Sequence, residues 1–213
     1  MNLCYIFGAL PINETKIDID ENDIIIAADA GLNTVNALNL TPDYVVGDFD
    51  SLGTKPACKN VFVYPKEKDE TDTLIAIKLG FEKGYKNFKI YGCIGGRTDH
   101  TIANIQLACY ITDNGGNALF YDGNSILTVI KNTSVTFTES ATGTISVFAL
   151  SDEAKGVTIS NLKYEVENIT LTPDFPLGVS NEFIGKHGEI KVTDGKLCII
   201  YNKNNEMSFK IYE

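Results

Sequence analysis

Four short stretches concentrate the groups that could do chemistry. They are Asp29-Ala30-Gly31, Gly47-Asp48-Phe49-Asp50-Ser51, Lys68-Asp69-Glu70-Thr71-Asp72 and Gly95-Gly96-Arg97-Thr98-Asp99-His100. Every one contains an aspartate. In the second, Asp48 and Asp50 stand two positions apart in a tight turn. Carboxylates this close repel each other unless a cation lies between them. Magnesium is a hard cation that takes oxygen ligands, commonly one or two carboxylates together with substrate phosphates. Asp48, Asp50 and Asp72 are the candidate ligands. Gly95-Gly96 lets backbone N–H groups approach a phosphate, and the helix N-terminus that follows adds positive potential. Arg97 can pair with phosphate oxygens. These are parts for phosphoryl-type transfer, in which positioning and charge neutralisation carry most of the catalysis. Neither GxxxxGK[ST] nor GxGxxG occurs, so a P-loop and a standard dinucleotide fold are not supported. Plainer readings stand beside these. Asp69, Thr71 and Asp72 also suit a helix cap, as do Thr98 and Asp99. Asp29 also suits a turn, Arg97 a surface charge, and His100 a helix face with no role.

The elements that must position these clusters show in the hydrophobic pattern. LCYIFGA, DIIIAADA, YVVG, VFVYP, FKIYGC and ALFYD are short apolar runs of the kind found in buried parallel strands. Helical spacing lies between them: Leu32, Val35 and Leu38; Leu74, Ile77 and Phe81, with Gly84 as a stop; Ile102, Ile105 and Cys109. Strands alternating with helices predict an open, mostly parallel α/β sheet. Ligands bind such sheets outside the C-terminal ends of the strands, and each of the four clusters follows a strand. From about residue 125 only strand-like runs remain, from SILTVI to MSFKIY, punctuated by Gly, Asn, Asp and Pro. That pattern predicts an all-β sandwich or small barrel. The expected division is an α/β unit over 1–123 and a β unit over 124–213.

Composition narrows the function. The chain has 213 residues, a net charge of −10, 44% hydrophobic and 22% charged residues. No block of Lys or Arg offers the basic face that nucleic-acid binding needs. No apolar run is long enough to span a membrane. The five cysteines contain no CxxC pair, so they read as reduced core residues. MNLCYIFGAL reads as a first strand rather than a signal peptide. A cytoplasmic protein is expected.

The ordered set DAG, GDFDS, KDETD and GGRTDH, followed by LKYEV and by GVSNEF at 178–183, resembles the thiamine pyrophosphokinase family over nearly the whole chain. The resemblance implies an N-terminal α/β domain, a C-terminal β-sandwich, and a homodimer with its active sites shared between subunits. It implies transfer of the pyrophosphoryl group of ATP to the hydroxyl of thiamine, giving thiamine diphosphate and AMP. Asp48, Asp50 and Asp72 would carry Mg²⁺ and through it the triphosphate. Thr71 and Asp99 would help bind substrate or nucleotide, Arg97 would contact phosphate, beside the Gly96 already placed there by its backbone, and Asp29 would lie at the nucleotide. Ser180 and Asn181 would contact thiamine, although Gly178-Val179-Ser180-Asn181 also reads as a turn entering a strand. Lys68 stands where some members have a glutamine. Asp72 and Asp99 both remain candidates for the base that accepts the thiamine proton. The competing readings are a DxD-type metal-dependent phosphatase, a nucleotide-sugar transferase, and a non-catalytic metal-nucleotide sensor.

Overall fold

The computed structural model describes residues 2–48, 58, 60–65 and 69–212, those from 206 onward by their backbone alone. Asp50 and Lys68 lie outside the described residues. The chain divides into two compact units, Met1–Gly123 and Asn124–Glu213.

In the first unit the elements run β1 (Leu3–Phe7), β2 (Ile24–Ala28), α1 (Gly31–Ala37), β3 (Tyr44–Gly47), β4 (Val61–Val63), α2 (Asp72–Glu82), β5 (Asn87–Tyr91), α3 (Thr98–Asp113) and β6 (Asn117–Asp122). The strands pair in the order β6-β5-β1-β2-β3-β4, and every pairing among them is parallel. Central β1 explains why such runs are apolar without alternation. Cys4, Ile6 and Phe7 are fully buried because both faces of the strand are covered. Burying a side chain such as Ile6 contributes about 1.5–3 kcal/mol.

Helix α2 starts where the Thr71 hydroxyl accepts the Leu74 N–H at 3.2 Å, and it stops before Gly84, whose φ is +87°. It can lie close to the sheet because of Gly80, where a Cβ would come within 2.6 Å of the Phe88 ring. In α3 the buried face differs from the expected one. Ile102 is 55% exposed, and the buried residues are Asn104, Leu107, Ala108 and Ile111. Both sets satisfy helical spacing. The buried set contains a polar residue, whose side chain is satisfied by a hydrogen bond to the loop before the helix.

The second unit contains β7 (Ser125–Lys131), β8 (Ser134–Phe137), β9 (Thr144–Ala149), β10 (Ala154–Ser160), β11 (Val166–Leu171), β12 (Gly178–Glu182), β13 (Gly188–Lys191), β14 (Lys196–Asn202) and β15 (Phe209–Tyr212). Strands β12-β9-β14-β7 pair antiparallel, and so do β11-β10-β13-β8-β15. The two sets pack through aromatic side chains: Phe137 of β8 meets Tyr201 of β14 with ring centroids 5.1 Å apart, edge to face, an arrangement favoured by the ring quadrupoles.

Candidate active site

A cavity of about 270 Å³ opens at the C-terminal ends of the parallel strands. The turns after β1, β2 and β5 and the first turns of α2 and α3 enclose it, and Asp29, Thr71, Asp72, Gly95, Arg97 and His100 are among its lining residues.

Two of the sequence motifs interlock here. Asp29 takes a left-handed backbone conformation, φ +48°, and its N–H donates to the Val46 carbonyl at 2.8 Å. The turn comes so close to β3 that a Cβ on Gly47 would lie 3.1 Å from the Asp29 Cα. The glycine of GDFDS therefore makes room for the aspartate of DAG. The glycine of DAG has a similar cause: a Cβ on Gly31 would lie 1.9 Å from the Phe7 carbonyl oxygen. Helix α1 begins pressed against the end of β1.

Thr71 caps α2, so the capping reading of that residue holds. Asp72 then falls in the first helical turn, where the helix dipole favours a carboxylate, and it lines the cavity.

The turn from Gly92 to Arg97 has three glycines at positive φ: Gly92 at +66°, Gly95 at +90° and Gly96 at +64°. The Gly95 N–H donates to the Thr101 hydroxyl at 3.1 Å. That amide is therefore engaged within the chain. Arg97, rather than Thr98 or Asp99, is the N-cap residue of α3, and no side chain caps the helix there. The Arg97 guanidinium donates from Nε to Asp99 Oδ1 at 3.1 Å and from Nη2 to Oδ2 at 2.6 Å. This pairing, aided by the His100 N–H, lowers the Asp99 carboxyl to about 2. The two side chains are 71% and 65% exposed, so the pair is held weakly and can exchange partners.

The cavity thus gathers Asp29, Thr71, Asp72 and Arg97. Gly96 and Asp99 belong to the same turn and helix start without lining it. Asp48 follows β3 directly after Gly47, beside the Asp29 turn. Among the described residues no three His, Cys, Asp or Glu side chains form a metal-holding group; Asp50, the third member of the expected set with Asp48 and Asp72, lies outside them. Magnesium needs only one or two carboxylates when phosphate oxygens and water complete its shell, and the oxygen-only donors Asp48 and Asp72 fit it.

Sequence reasoning passed over Gly8, Leu10 and Asn104, and gave His100 and Cys93 no role at a site, yet all five line the cavity. The rule that ligands sit at strand C-termini reaches Gly8–Leu10, which directly follow β1, but that turn carries no charged residue to draw notice. Cys93 is buried, and burial pushes its thiol up to about 11, so it stays neutral beside the cavity.

In the second unit Ser180 has φ +58° and donates its N–H to the Ser146 hydroxyl at 3.1 Å. Asn181 is 5% exposed and engaged within the chain. Its Oδ1 accepts the N–H groups of Tyr164 at 2.9 Å and Glu182 at 2.8 Å, and its Nδ2 donates to the Tyr164 carbonyl at 2.7 Å. The side chain thus pins the backbone of Tyr164, a residue that is 59% exposed. The Lys163 ammonium lies 5.5 Å from the centroid of the Tyr164 ring, a distance at which an aromatic face attracts a cation.

Two family models cover most of the chain. "Thiamin pyrophosphokinase, catalytic domain" matches residues 16–120, and "Thiamin pyrophosphokinase, vitamin B1 binding domain" matches residues 132–197. The thiamine pyrophosphokinase of Bacillus subtilis (strain 168) is 28% identical over 188 residues, which is 85% of this chain and 88% of the relative. The crystal structure of thiamine pyrophosphokinase from Bacillus subtilis superposes with a TM-score of 0.82 at 25% identity, covering 95% of this chain and 99% of that one. The thiamin pyrophosphokinase structure from Geobacillus thermodenitrificans gives 0.79 at 25% identity, covering 97% and 99%. These matches leave the phosphatase and nucleotide-sugar readings without support. The chain belongs to the thiamin pyrophosphokinase family.

Proposed function

We infer that this chain is an ATP-dependent diphosphotransferase that moves the pyrophosphoryl group of ATP to the hydroxyl of thiamine, giving thiamine diphosphate and AMP. The observation that carries the reading is a cavity at the strand ends that brings Asp29, Asp72 and Arg97 together.

The proposed roles are these. Asp48 and Asp72, with Asp50, would hold Mg²⁺, and the ion would supply neutralisation of the charge on the triphosphate. Arg97 moves from Asp99 to a phosphate, at small cost because the ion pair is exposed. While paired, Asp99 is a weak proton acceptor; release of Arg97 restores its basicity. Thr71 shapes the start of α2 and Asp29 faces the nucleotide. In the β unit the exposed Tyr164, pinned by Asn181, offers a ring face for the cationic thiazolium, with Ser180 beside it. Residues 1–123 serve as the ATP and Mg²⁺ unit, and 124–213 as the thiamine-binding and dimerising unit. The functional form is a cytoplasmic homodimer with shared sites.

The test is AMP release from ATP, with and without thiamine, first in Mg²⁺ and then in EDTA. Thiamine- and metal-dependent AMP with matching thiamine diphosphate is expected. ADP or free phosphate in place of AMP overturns the reading.

A further inference from the structure

We propose that Thr101 and Asn104 of α3 are positioning residues for the turn Gly92–Arg97, holding it in the shape that presents Gly96 and Arg97 to a phosphate. The proposal deepens the pyrophosphoryl-transfer reading above and rests on it.

A turn with three glycines at positive φ has a backbone that few side chains restrain, and an unrestrained glycine segment samples many conformations. Preorganised donors nonetheless require a fixed frame. The turn is held on two sides. On one side the segment after β1 holds the end of β5 and the first residue of the turn: the Gly8 N–H donates to the Tyr91 carbonyl at 2.8 Å and the Leu10 N–H to the Gly92 carbonyl at 3.0 Å. The Leu10 side chain packs against Gly96 so closely that a Cβ there would lie 2.8 Å from Leu10 Cδ2.

On the other side α3 holds it through side chains. Asn104 Nδ2 donates to the Cys93 carbonyl at 2.5 Å. The Thr101 hydroxyl accepts the Gly95 N–H at 3.1 Å, and its own hydrogen reaches either the Gly95 carbonyl at 3.1 Å or the Arg97 carbonyl at 3.2 Å. Thr101 and Asn104 are three residues apart, so they share one face of the helix. Asn104 is 5% exposed on a face otherwise made of Leu107, Ala108 and Ile111. A buried amide costs free energy without a partner, so packing does not account for an asparagine there. The Cys93 carbonyl does. The two side chains therefore bond the backbone on both flanks of Ile94, directly ahead of Gly96 and Arg97.

The test compares Thr101→Val, which removes the hydroxyl at nearly constant shape, with Thr101→Ser, which keeps it; Asn104→Ala is the second site. KM for ATP in Mg²⁺ is measured at saturating thiamine, and hydrogen exchange is followed on the Gly92–Arg97 amides. Thr101→Val is expected to raise KM for ATP about tenfold, as misplaced binding groups do, and to speed exchange in the turn, while Thr101→Ser restores both. A merely structural role would lower the melting temperature and leave KM of the folded enzyme unchanged. KM within twofold of wild type together with unchanged exchange in Thr101→Val overturns the proposal, even where Asn104→Ala does not fold. A wild-type chain that releases no AMP refutes the function reading instead. The clamp is then judged by exchange alone, and unaltered exchange in Thr101→Val overturns it.

Discussion

The two rims of the parallel sheet both carry aspartates and use them in opposite ways. At the rim where strands start, Asp23 accepts the Leu3 N–H at 2.7 Å and the Asp20 N–H at 3.1 Å. Asp43 accepts the Ile25 N–H at 2.8 Å and returns its own N–H to the Ile25 carbonyl at 2.9 Å. These carboxylates complete the ladder at amides that have no strand partner. At the rim where strands end, Asp29 and Asp72 line a cavity and Asp48 follows a strand beside it. Residue type does not separate the aspartates that accept strand-start amides from those that line the cavity. The end of the strand does, because helix N-termini and glycine turns converge at one rim and not at the other. Burial, with Asp43 as a smaller contributor, drives the Cys4 thiol far above its ordinary range, so it serves as a core residue.

The contrast can be broken by mutation. The largest effect is expected for Asp72→Asn and Asp48→Asn. Each should lower turnover by about a thousandfold or more, as loss of a charge-neutralising group does, with the circular dichroism spectrum and melting temperature close to wild type. Wild-type-like AMP release from both would end the functional assignment of this rim. Gly31→Ala should come next. With the Phe7 carbonyl in the way, overpacking should cost about 3 kcal/mol in urea unfolding, and an unchanged midpoint would show that α1 can shift.

Asp43→Ala is the counterpart at the opposite rim. It leaves the Ile25 N–H without its acceptor and should cost about 1–3 kcal/mol of stability with kcat retained; lost turnover in a stable protein would erase the distinction between rims. A smaller change is expected in the β unit. Tyr164→Ala should raise KM for thiamine about fivefold, and Tyr164→Phe should not, since a cation–π contact is worth about 1 kcal/mol at an exposed site.

The smallest effect concerns Asp99. Its carboxyl lies at about 2 in the folded chain, below its ordinary 3.8, so the Arg97 pair is fully formed above pH 4 and is lost as pH falls through about 2, where half of it remains. Arg97→Ala should move the Asp99 midpoint upward in a carboxyl NMR titration. An unmoved midpoint would mean that the pair does not persist in solution.

Much of the first unit was legible because buried parallel strands write themselves as uninterrupted apolar runs. YVVG matches β3 residue for residue, and TDTLIAIKLGFEKG contains α2 with its Thr71 cap and its Gly84 stop. Helix α3 was less so. Ile102, Ile105 and Cys109 looked like the buried stripe, while the helix turns Asn104 inward, and a buried asparagine leaves no hydrophobic signal. Gly178–Asn181 was read both as a thiamine contact and as a turn. The engagement of the Asn181 amide with Tyr164 places its side chain in the frame and its exposed neighbour at the surface, which no local pattern in VSNEF reveals.

The sequence by itself determined which residues carry charge, where strands and helices alternate, and that aspartates follow strand after strand, because periodicity and residue type are local properties. Only the tertiary structure decided that Gly47 makes room for Asp29, that Gly95 gives its amide to Thr101, and that Asp43 and Asp72 serve opposite ends of the sheet. Those outcomes depend on which backbones approach within a few ångströms across many residues of chain, a distance that no spacing along the sequence encodes.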